Sequence, residues 1–320
     1  METQAKEIIV VGSSNLDMVV SSERIPHLGE TLMGSNYFTV PGGKGANQAV
    51  AAAKLGGAVT FVSKLGRDSA GEQLYDNFKA CGINLDCILR SDGTPTGVAM
   101  IIVDTDGNNI IVVAPGANEK LRKDDVQQAE EKIAAAGVVV AQLEIPLETV
   151  IQTAQLANRY NVPFILDPAP ARKLPPALFR LVDVMKPNET EAELLTGVCV
   201  KDEKSARQAA GILLSMGVKS VILTLSSKGY LIADAESSEF VPGHSVTAVD
   251  STAAGDAFIG ALAFGLAGGE PLREAALFAN KVAAISVTKK GAQSSLPTMD
   301  EVDSFVCLPG GSENSLLVKS

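Results

Sequence analysis

Short apolar runs alternate with amphipathic patterns of helical period along most of the chain. Apolar and β-branched runs predict strands at Ile8–Val11, Val59–Ser63, Val138–Leu143, Pro163–Asp167, Val184–Lys186, Ser220–Leu225 and Tyr230–Ala233. Apolar residues three and four apart predict helices at Lys44–Leu55, Gly71–Ala80, Lys123–Ala135, Glu148–Tyr160, Glu189–Thr196, Lys204–Met216, Gly255–Leu266 and Leu272–Lys289. Because strands alternate with helices, we expect an α/β fold whose mostly parallel central sheet has helices on both faces.

Two regions, residues 18–40 and 97–113, break this alternation because they are extended and contain no helical pattern. Within the second region, Met100–Val103 and Asn109–Val113 flank a turn that contains Asp106 and Gly107, which predicts a β-hairpin. We expect the two regions to form a small sheet that covers a pocket as a lid or pairs with another subunit. Residues 1–306 then form one domain, and residues 307–320 are expected to be a disordered tail.

Composition narrows the class of protein. Of the 320 residues, 46% are hydrophobic and 29 are glycine, and the net charge of the chain is −10. The negative charge argues against a nucleic-acid or anionic membrane surface. Four cysteines without metal-ligand spacing indicate reduced thiols, and no apolar run approaches the roughly 18 residues of a membrane span. With no targeting segment visible, we expect a soluble, cytoplasmic protein.

The segment from Ala248 to Gly260 contains the clearest candidate chemistry. Its small residues precede Asp256 at the start of a helix that is apolar or glycine from Ala257 to Ala267. Free backbone N–H groups at a helix start bind anions, and small residues let an anion come close. A carboxylate beside that anion is suited to accept a proton from an attacking hydroxyl. The alternative is that Asp256 only caps the helix.

A second constellation is the glycine-rich loop at residues 41–49. It is not a Walker A loop, because Phe38 and Gly45 stand where glycine and Ser or Thr are required. It also lacks the last glycine of a dinucleotide-binding fingerprint, since Gln48 stands there. What remains is a glycine turn that opens a helix and directs Lys44 and Asn47 toward one place, or a simple helix start with a solvent-facing lysine.

Further polar residues follow predicted strands. Asn15 and Asp17 share one face of an extended segment, and Glu144 and Asp167 follow two other strands. Ligands of open parallel sheets bind at the carboxyl ends of the strands, so these residues are candidates to bind vicinal hydroxyls together. Each is equally a plausible turn former or cap by itself. Asn188 and Glu191, three residues apart, are candidates to position metal-bound water near phosphates. The polar turn at residues 224–229 is a candidate to bind the phosphates of a nucleotide.

Taken together, the glycine loop through Asn47, the Asn188–Glu191 element and the Asp250–Asp256 element resemble the PfkB (ribokinase) family of sugar and nucleoside kinases over residues 6–306. The resemblance implies a three-layer α/β sandwich with a β-sheet lid that forms a homodimer interface. It also implies ATP-dependent phosphorylation of the ribose 5-hydroxyl, with Mg²⁺ and an activating monovalent cation, K⁺.

The resemblance also implies a role for individual residues. The sugar is bound by Asn15, Asp17, Gly43, Lys44, Asn47, Glu144 and Asp256. ATP lies along Asn188, Thr224, Ser226, Lys228, Gly229, Gly255 and Asn280. Asp256 is the base, and the anion hole consists of the N–H groups of Ala253, Ala254, Gly255 and Asp256. Glu191 holds Mg²⁺ through water, and K⁺ is held by Asp250, Thr252, Ser286, Lys289, Gly291 and Ser295.

The chain departs from the family pattern at Ala253, where many relatives have glycine, but alanine also occurs there, so we expect an active enzyme. Ribose is the expected substrate. The alternatives are a sibling kinase for deoxyribose, fructose or a nucleoside, and a non-catalytic sugar-binding regulator. The intact base and anion hole argue against the regulator, and the absence of Trp argues mildly against a nucleoside pocket.

Overall fold

In the computed structural model, which describes residues 6–305, the central sheet has nine strands. In chain order the strands of the protein are β1 (Ile8–Val11), β2 (Asn15–Ser21), β3 (Asn36–Gly42), β4 (Val59–Gly66), β5 (Ile88–Ser91), β6 (Gly97–Val103), β7 (Asn109–Ala114), β8 (Val138–Ala141), β9 (Phe164–Leu166), β10 (Val184–Met185), β11 (Ser220–Thr224), β12 (Gly229–Asp234) and β13 (Ser238–Pro242). The central order is β13-β12-β11-β10-β9-β8-β1-β4-β5. Within the described residues its antiparallel pairs are β11 with β12 and β12 with β13, and the other pairs are parallel, which confirms the expected mostly parallel sheet.

Helices cover both faces of this sheet. They are α1 (Lys44–Lys54), α2 (Ser69–Ala80), α3 (Lys123–Gln127), α4 (Glu130–Ala135), α5 (Leu147–Arg159), α6 (Pro176–Phe179), α7 (Glu189–Thr196), α8 (Glu203–Ser215), α9 (Ala254–Ala267), α10 (Leu272–Ser286) and α11 (Met299–Ser304). Alternate β1 residues enter different cores: Ile8 and Val10 belong to the core that contains residues of α1, α9 and α10, whereas Ile9 and Val11 belong to the core that contains residues of α5 and α8. The result is the expected three-layer α/β sandwich.

Local chemistry explains where the sequence interpretation differs from these bounds. The predicted helix Lys123–Ala135 is divided into α3 and α4, because the Ala129 N–H bonds to the Val126 carbonyl three residues back and tightens one turn. The strands β5 and β13 were not predicted, since neither presents a clear apolar run. Among residues 6–305, no helix combines the length and the apolarity that crossing a bilayer requires.

The two irregular regions form a second sheet, as expected. Its strand order is β3-β2-β6-β7, and β6 and β7 make the predicted hairpin. The parallel pairing of β2 with β6 joins the two regions. Because β2 begins just beyond the end of β1, this sheet starts at the carboxyl edge of the central sheet. The predicted tail, residues 307–320, lies outside the described residues.

Candidate active site

Loops after the parallel strands meet at one edge of the central sheet. The chain leaves β1 toward β4 on one side and later returns to β8 on the other, so the loops after β1 and β8 lie at a topological switch point. Ser13 follows β1 and its hydroxyl donates to Glu144 Oε2, which follows β8, at 2.5 Å. The Lys44 backbone N–H donates to the same oxygen at 3.0 Å. Three separate segments are therefore joined at this carboxylate.

The predicted sugar residues lie around this point. Asn15 is buried, and its Oδ1 accepts a hydrogen bond from Asn118 Nδ2 at 2.8 Å, which leaves the Asn15 amide N–H groups to donate to a ligand. Burial, followed by the charge of Glu144, raises the pKa of Asp17 to about 7. The sequence interpretation missed Asn118, which lies 103 residues from Asn15 and has no local pattern.

Glycine is required where the loop before α1 passes this cluster. A Cβ on Gly42 would lie 2.3 Å from Asp17 Oδ2. Gly43 has a φ of 89° and caps α1, and a Cβ there would lie 2.8 Å from the Asn15 backbone nitrogen. The glycine loop therefore brings the main chain against Asn15 and Asp17, and its approach to a ligand there stays a prediction.

Asp256 lies in the first turn of α9 and is 5% exposed. Its Oδ2 accepts from Asn47 Nδ2 at 2.9 Å, and its Oδ1 accepts from Gln48 Nε2 at 3.0 Å. Burial raises the pKa of Asp256, an effect that the nearby Lys44 ammonium opposes. A carboxyl with a raised pKa that is still held by donors is a suitable proton acceptor near neutral pH.

Gln48 fixes Asp256 relative to a second carboxylate. Its Nε2 also donates to Asp167 Oδ2 at 2.8 Å, while its Oε1 accepts from Gln142 Nε2 at 2.6 Å. The side-chain amide therefore has one orientation. No sequence signal distinguishes Gln48 from a solvent-facing glutamine, because all of its partners are distant in the chain.

Close helix packing produces this arrangement. A Cβ on Gly260 of α9 would lie 2.5 Å from the Ala51 Cβ and 2.7 Å from the Gln48 carbonyl of α1. Because Gly260 has no side chain, the two helices approach closely enough for Asn47 and Gln48 to reach Asp256.

The start of α9 is open to ligand. Ala253 caps the helix in a left-handed conformation with a φ of 60°, and Gly255 is exposed. Within residues 6–305 the N–H groups of Ala253, Gly255 and Asp256 have no partner, whereas the Ala254 N–H donates to the Ser251 carbonyl at 3.2 Å. The unpaired N–H groups and the helix dipole give the position a positive potential, which suits an anion. The predicted anion hole stays a prediction, and the Ala254 N–H is not free to join it.

A cavity of 580 Å³ extends from the start of α9. Its lining combines charged side chains, among them Lys44, Lys186 and Asp256, with apolar or aromatic ones such as Tyr230 and Val246. The predicted nucleotide residues that line it are Asn188, Thr224, Ser226, Gly229, Gly255 and Asn280. Lys228 does not line the cavity, since its ammonium donates to the Lys201 carbonyl at 3.0 Å. One cavity thus combines polar groups suited to the phosphates of a nucleotide with apolar groups suited to its purine ring.

Asn188 and Glu191 form a capping box at the start of α7. The Asn188 side chain accepts from the Glu191 N–H, and the Glu191 carboxylate accepts from the Asn188 N–H at 2.8 Å. Burial and the charge of Asp167 raise the pKa of Glu191, and Asp167 Oδ1 has no hydrogen-bond partner within residues 6–305. In that range no three acidic, His or Cys side chains are grouped to ligate a metal. The carboxylate oxygens of Glu191 and Asp167 are donors of the kind that Mg²⁺ prefers.

The predicted cation residues come from three segments. Asp250 joins two of them, since its Oδ1 accepts from the Thr252 N–H at 2.9 Å and its Oδ2 accepts from the Gly291 N–H at 2.9 Å. The remaining predicted residues are the buried Ser286 and Ser295 and the half-buried Lys289. Lys289 can offer only its carbonyl, because its ammonium pairs with Glu301. Carboxylate, carbonyl and hydroxyl oxygens are donors of the kind that a hard cation such as K⁺ prefers.

This arrangement is typical of an enzyme that transfers a phosphoryl group to a hydroxyl. A model of the pfkB family carbohydrate kinases matches residues 5–299, and the chain belongs to that family. It is 44% identical over 301 residues to a ribokinase of Haemophilus influenzae, covering 94% of this chain and 98% of that protein. It is 37% identical over 307 residues to a deoxyribokinase of Salmonella typhi, covering 94% of this chain and 99% of that protein. An Arabidopsis thaliana ribokinase solved with ribose and ATP matches with a TM-score of 0.87 and 35% identity, covering 93% of this chain and 98% of that one.

Proposed function

We propose that this protein transfers the γ-phosphoryl group of ATP to the 5-hydroxyl of D-ribose, giving ribose 5-phosphate and ADP. The observation that carries the proposal is the position of Asp256, which lines the cavity at the start of α9 and accepts a hydrogen bond from Asn47 of α1, the helix that follows the glycine loop. The ribokinase of Haemophilus influenzae supports the same reaction through its similarity over nearly the whole chain.

In this proposal the sugar lies against the glycine loop. Asp17 and Glu144 accept hydrogen bonds from its hydroxyls, and the Asn15 amide donates to one of them. Asn47 connects the sugar site with the base. It follows the glycine loop in the chain, and its Nδ2 donates to Asp256 at 2.9 Å. The 5-hydroxyl is then directed at Asp256 with the γ-phosphoryl group beyond it.

During transfer, Asp256 accepts the hydroxyl proton while the sugar oxygen bonds to phosphorus and the bond to the ADP oxygen breaks. The N–H groups of Ala253, Gly255 and Asp256 stabilise the charge on the phosphoryl oxygens. Mg²⁺, held near Glu191 through water, would neutralise phosphate charge. K⁺ at Asp250 and Gly291 would order the loop that leads into α9, since Asp250 already joins these segments.

An assay of ADP release by the full-length protein tests the proposal. D-Ribose, 2-deoxy-D-ribose, D-fructose and adenosine are compared, each with K⁺ and with Na⁺, and phosphorus NMR identifies the phosphorylated carbon. We expect ribose to give the highest kcat/KM and K⁺ to raise the rate. No sugar-dependent ADP release from any of the four would contradict the proposal.

Deoxyribose is the second candidate, because the Salmonella typhi deoxyribokinase is 37% identical over 307 residues. The two sugars differ by the 2-hydroxyl. A site built to hydrogen-bond a hydroxyl rejects an analogue without it by about 10⁴–10⁵-fold. A kcat/KM for 2-deoxyribose that equals or exceeds that for ribose would therefore assign the activity to deoxyribose.

We further propose that the second sheet is a lid that excludes water from the reaction and joins two subunits in a homodimer. Large apolar side chains are exposed on it, including Phe38, Met100 and Ile111, and β7 is exposed along its whole length. Sizing chromatography should give a dimer for the native chain and a monomer for Ile111→Lys. Leu194→Lys, at an exposed apolar residue of α7, is the matched control and should stay dimeric.

We also propose a cytoplasmic location. Cys81, Cys87 and Cys199 are free thiols, which is typical of reducing compartments, and ATP is available there. Fractionation of cells that express a tagged chain would test this location.

A further inference from the structure

Lys186 is a buried lysine that the site described above does not use. It follows β10 directly, is 4% exposed, and lines the cavity at the start of α9. Its Nζ lies 3.0 Å from the point that a Cβ on Gly255 would occupy. The ammonium group therefore lies against the first turn of α9, next to the proposed anion hole.

This ammonium group is not neutralised directly by the protein. Within residues 6–305 its Nζ has no carboxylate within 4.0 Å and no hydrogen bond to another group. Other half-buried lysines do have such partners: Lys64 pairs with Asp125 at 2.8 Å. The ammonium group lines the cavity without a protein partner, so it is available to pair with an anionic ligand that enters the cavity.

The surroundings define the charge of that partner. The N-terminal end of α9 is positive because of its free N–H groups and the helix dipole. Two positive groups, the Lys186 ammonium and this helix end, thus lie next to each other and repel. An anion that contacts both relieves the repulsion, and phosphates are the anions of an ATP-sized cavity.

Lys44 also lines this cavity, and within residues 6–305 its Nζ likewise has no carboxylate within 4.0 Å. Burial lowers the pKa of Lys44, but the negative charges of Asp256, Asp167 and Glu144 outweigh that effect, and the net result is a raised pKa. Lys186 differs from Lys44 in position, because its Nζ lies against Gly255 in the first turn of α9.

We propose that Lys186 is a further catalytic residue, which binds the γ-phosphoryl group of ATP and stabilises its oxygens during transfer. The inference rests on the proposed kinase function. As the sugar oxygen bonds to phosphorus, the bond from phosphorus to the bridging oxygen breaks and its electron pair leaves with ADP. The hydroxyl proton goes to Asp256, and Lys186 remains protonated throughout.

The substitution Lys186→Met tests this role, because methionine keeps most of the volume and removes the charge. We expect kcat to fall about 10²–10³-fold, as for the loss of one group that stabilises transition-state charge. The KM for ribose should change little. In calorimetry with ribose present, ADP with aluminium fluoride, a mimic of the transferring group, should lose affinity in the same proportion while ADP alone does not.

Two further variants separate this role from a structural one. Lys186→Arg keeps the charge and should retain more kcat than Lys186→Met. Lys64→Met removes a half-buried lysine that pairs with Asp125 outside the site and should leave kcat unchanged. Because Lys186→Met removes no ion pair or side-chain hydrogen bond within residues 6–305, the ligand-free variant should unfold at about the same temperature as the native chain.

The outcomes are distinguishable. If the native chain phosphorylates no sugar, the proposed function fails. If the native chain is active and Lys186→Met keeps its kcat within about threefold, less than 1 kcal/mol of transition-state stabilisation, the role of Lys186 is wrong. A parallel loss of thermal stability and of ribose binding in Lys186→Met, with Lys186→Arg no better, would show a structural role instead.

Discussion

The strongest test of the site concerns Gln48, because its role follows from hydrogen bonds alone. Gln48→Met keeps a similar volume in a fully buried position but removes the donor to Asp256 Oδ1 at 3.0 Å. A hydrogen bond to a charged group contributes about 1.5–3 kcal/mol. Since that bond stabilises the ionised carboxylate, its loss makes Asp256 harder to ionise. At 1.36 kcal/mol per pH unit, the acid limb of the activity profile should move up by about one to two pH units.

The assay is the pH dependence of kcat/KM for the sugar at saturating ATP, for the native chain and Gln48→Met under identical conditions. The quantity compared is the difference in the pH of the acid limb between the two proteins, so the titration of ATP, which is the same for both, cancels. Asn118→Leu is the matched control: it also removes a buried side-chain amide, but one that bonds Ser14 and Asn15 rather than Asp256. It should raise the KM for the sugar and leave the acid limb where it is.

The reasoning would be refuted if Gln48→Met lowered thermal stability and rate at every pH without moving the acid limb. That result would mean that Asp256 does not titrate in the rate-determining state, or that Gln48 only packs. An equal displacement of the acid limb in Asn118→Leu would also refute it, because the effect would then be a general consequence of loosening the site.

Three further predictions follow from individual groups. Asp256→Asn cannot accept the proton, so kcat should fall about 10²–10⁴-fold while calorimetry shows ribose binding retained; near-normal turnover would contradict the assignment. Burial raises the pKa of Asp17 from 3.8 to about 7, so the folded state keeps a proton that the unfolded chain releases, and stability falls as pH rises through that interval. Asp17→Asn removes this fall. In urea unfolding, the free energy of unfolding of the variant relative to that of the native chain should therefore grow by about 3 kcal/mol between pH 5 and pH 8, and a difference that stays constant with pH would argue against the raised pKa. Ala253 has a φ of 60°, so Ala253→Gly should relieve about 1 kcal/mol of strain, raise the melting temperature and keep kcat; a lower melting temperature would exclude strain at this position.

The elements of the central sheet were largely predictable because periodicity is a local property. The strand Ile8–Val11 and the helix Glu189–Thr196 have the predicted bounds. The hairpin of β6 and β7 was predicted from its turn residues. The two irregular regions were expected to share a sheet, but the strands that join them were not predictable: β2 pairs parallel with β6, about 80 residues away, and nothing in either strand specifies that partner or its direction.

The same distinction applies to the candidate site. Asp256 was identifiable because small residues before an apolar helix are a local signal of an anion site. Gln48, Asn118 and Lys186 were not, since each depends on contacts between distant segments. Gln293 illustrates the point: its side chain accepts from Asn77 and donates to Asn47, 246 residues away, which itself holds Asp256.

The sequence by itself therefore determined the order of strands and helices, the glycine loop, the family resemblance and the candidate base. These features depend on neighbouring residues, whose spacing is fixed by the chain. Only the tertiary structure decided how that base is held and which charges face it. The close packing of α9 on α1 at Gly260 brings Gln48 to Asp256, and the end of β10 brings Lys186 to Gly255. Such contacts depend on how layers pack, a property that no local pattern encodes.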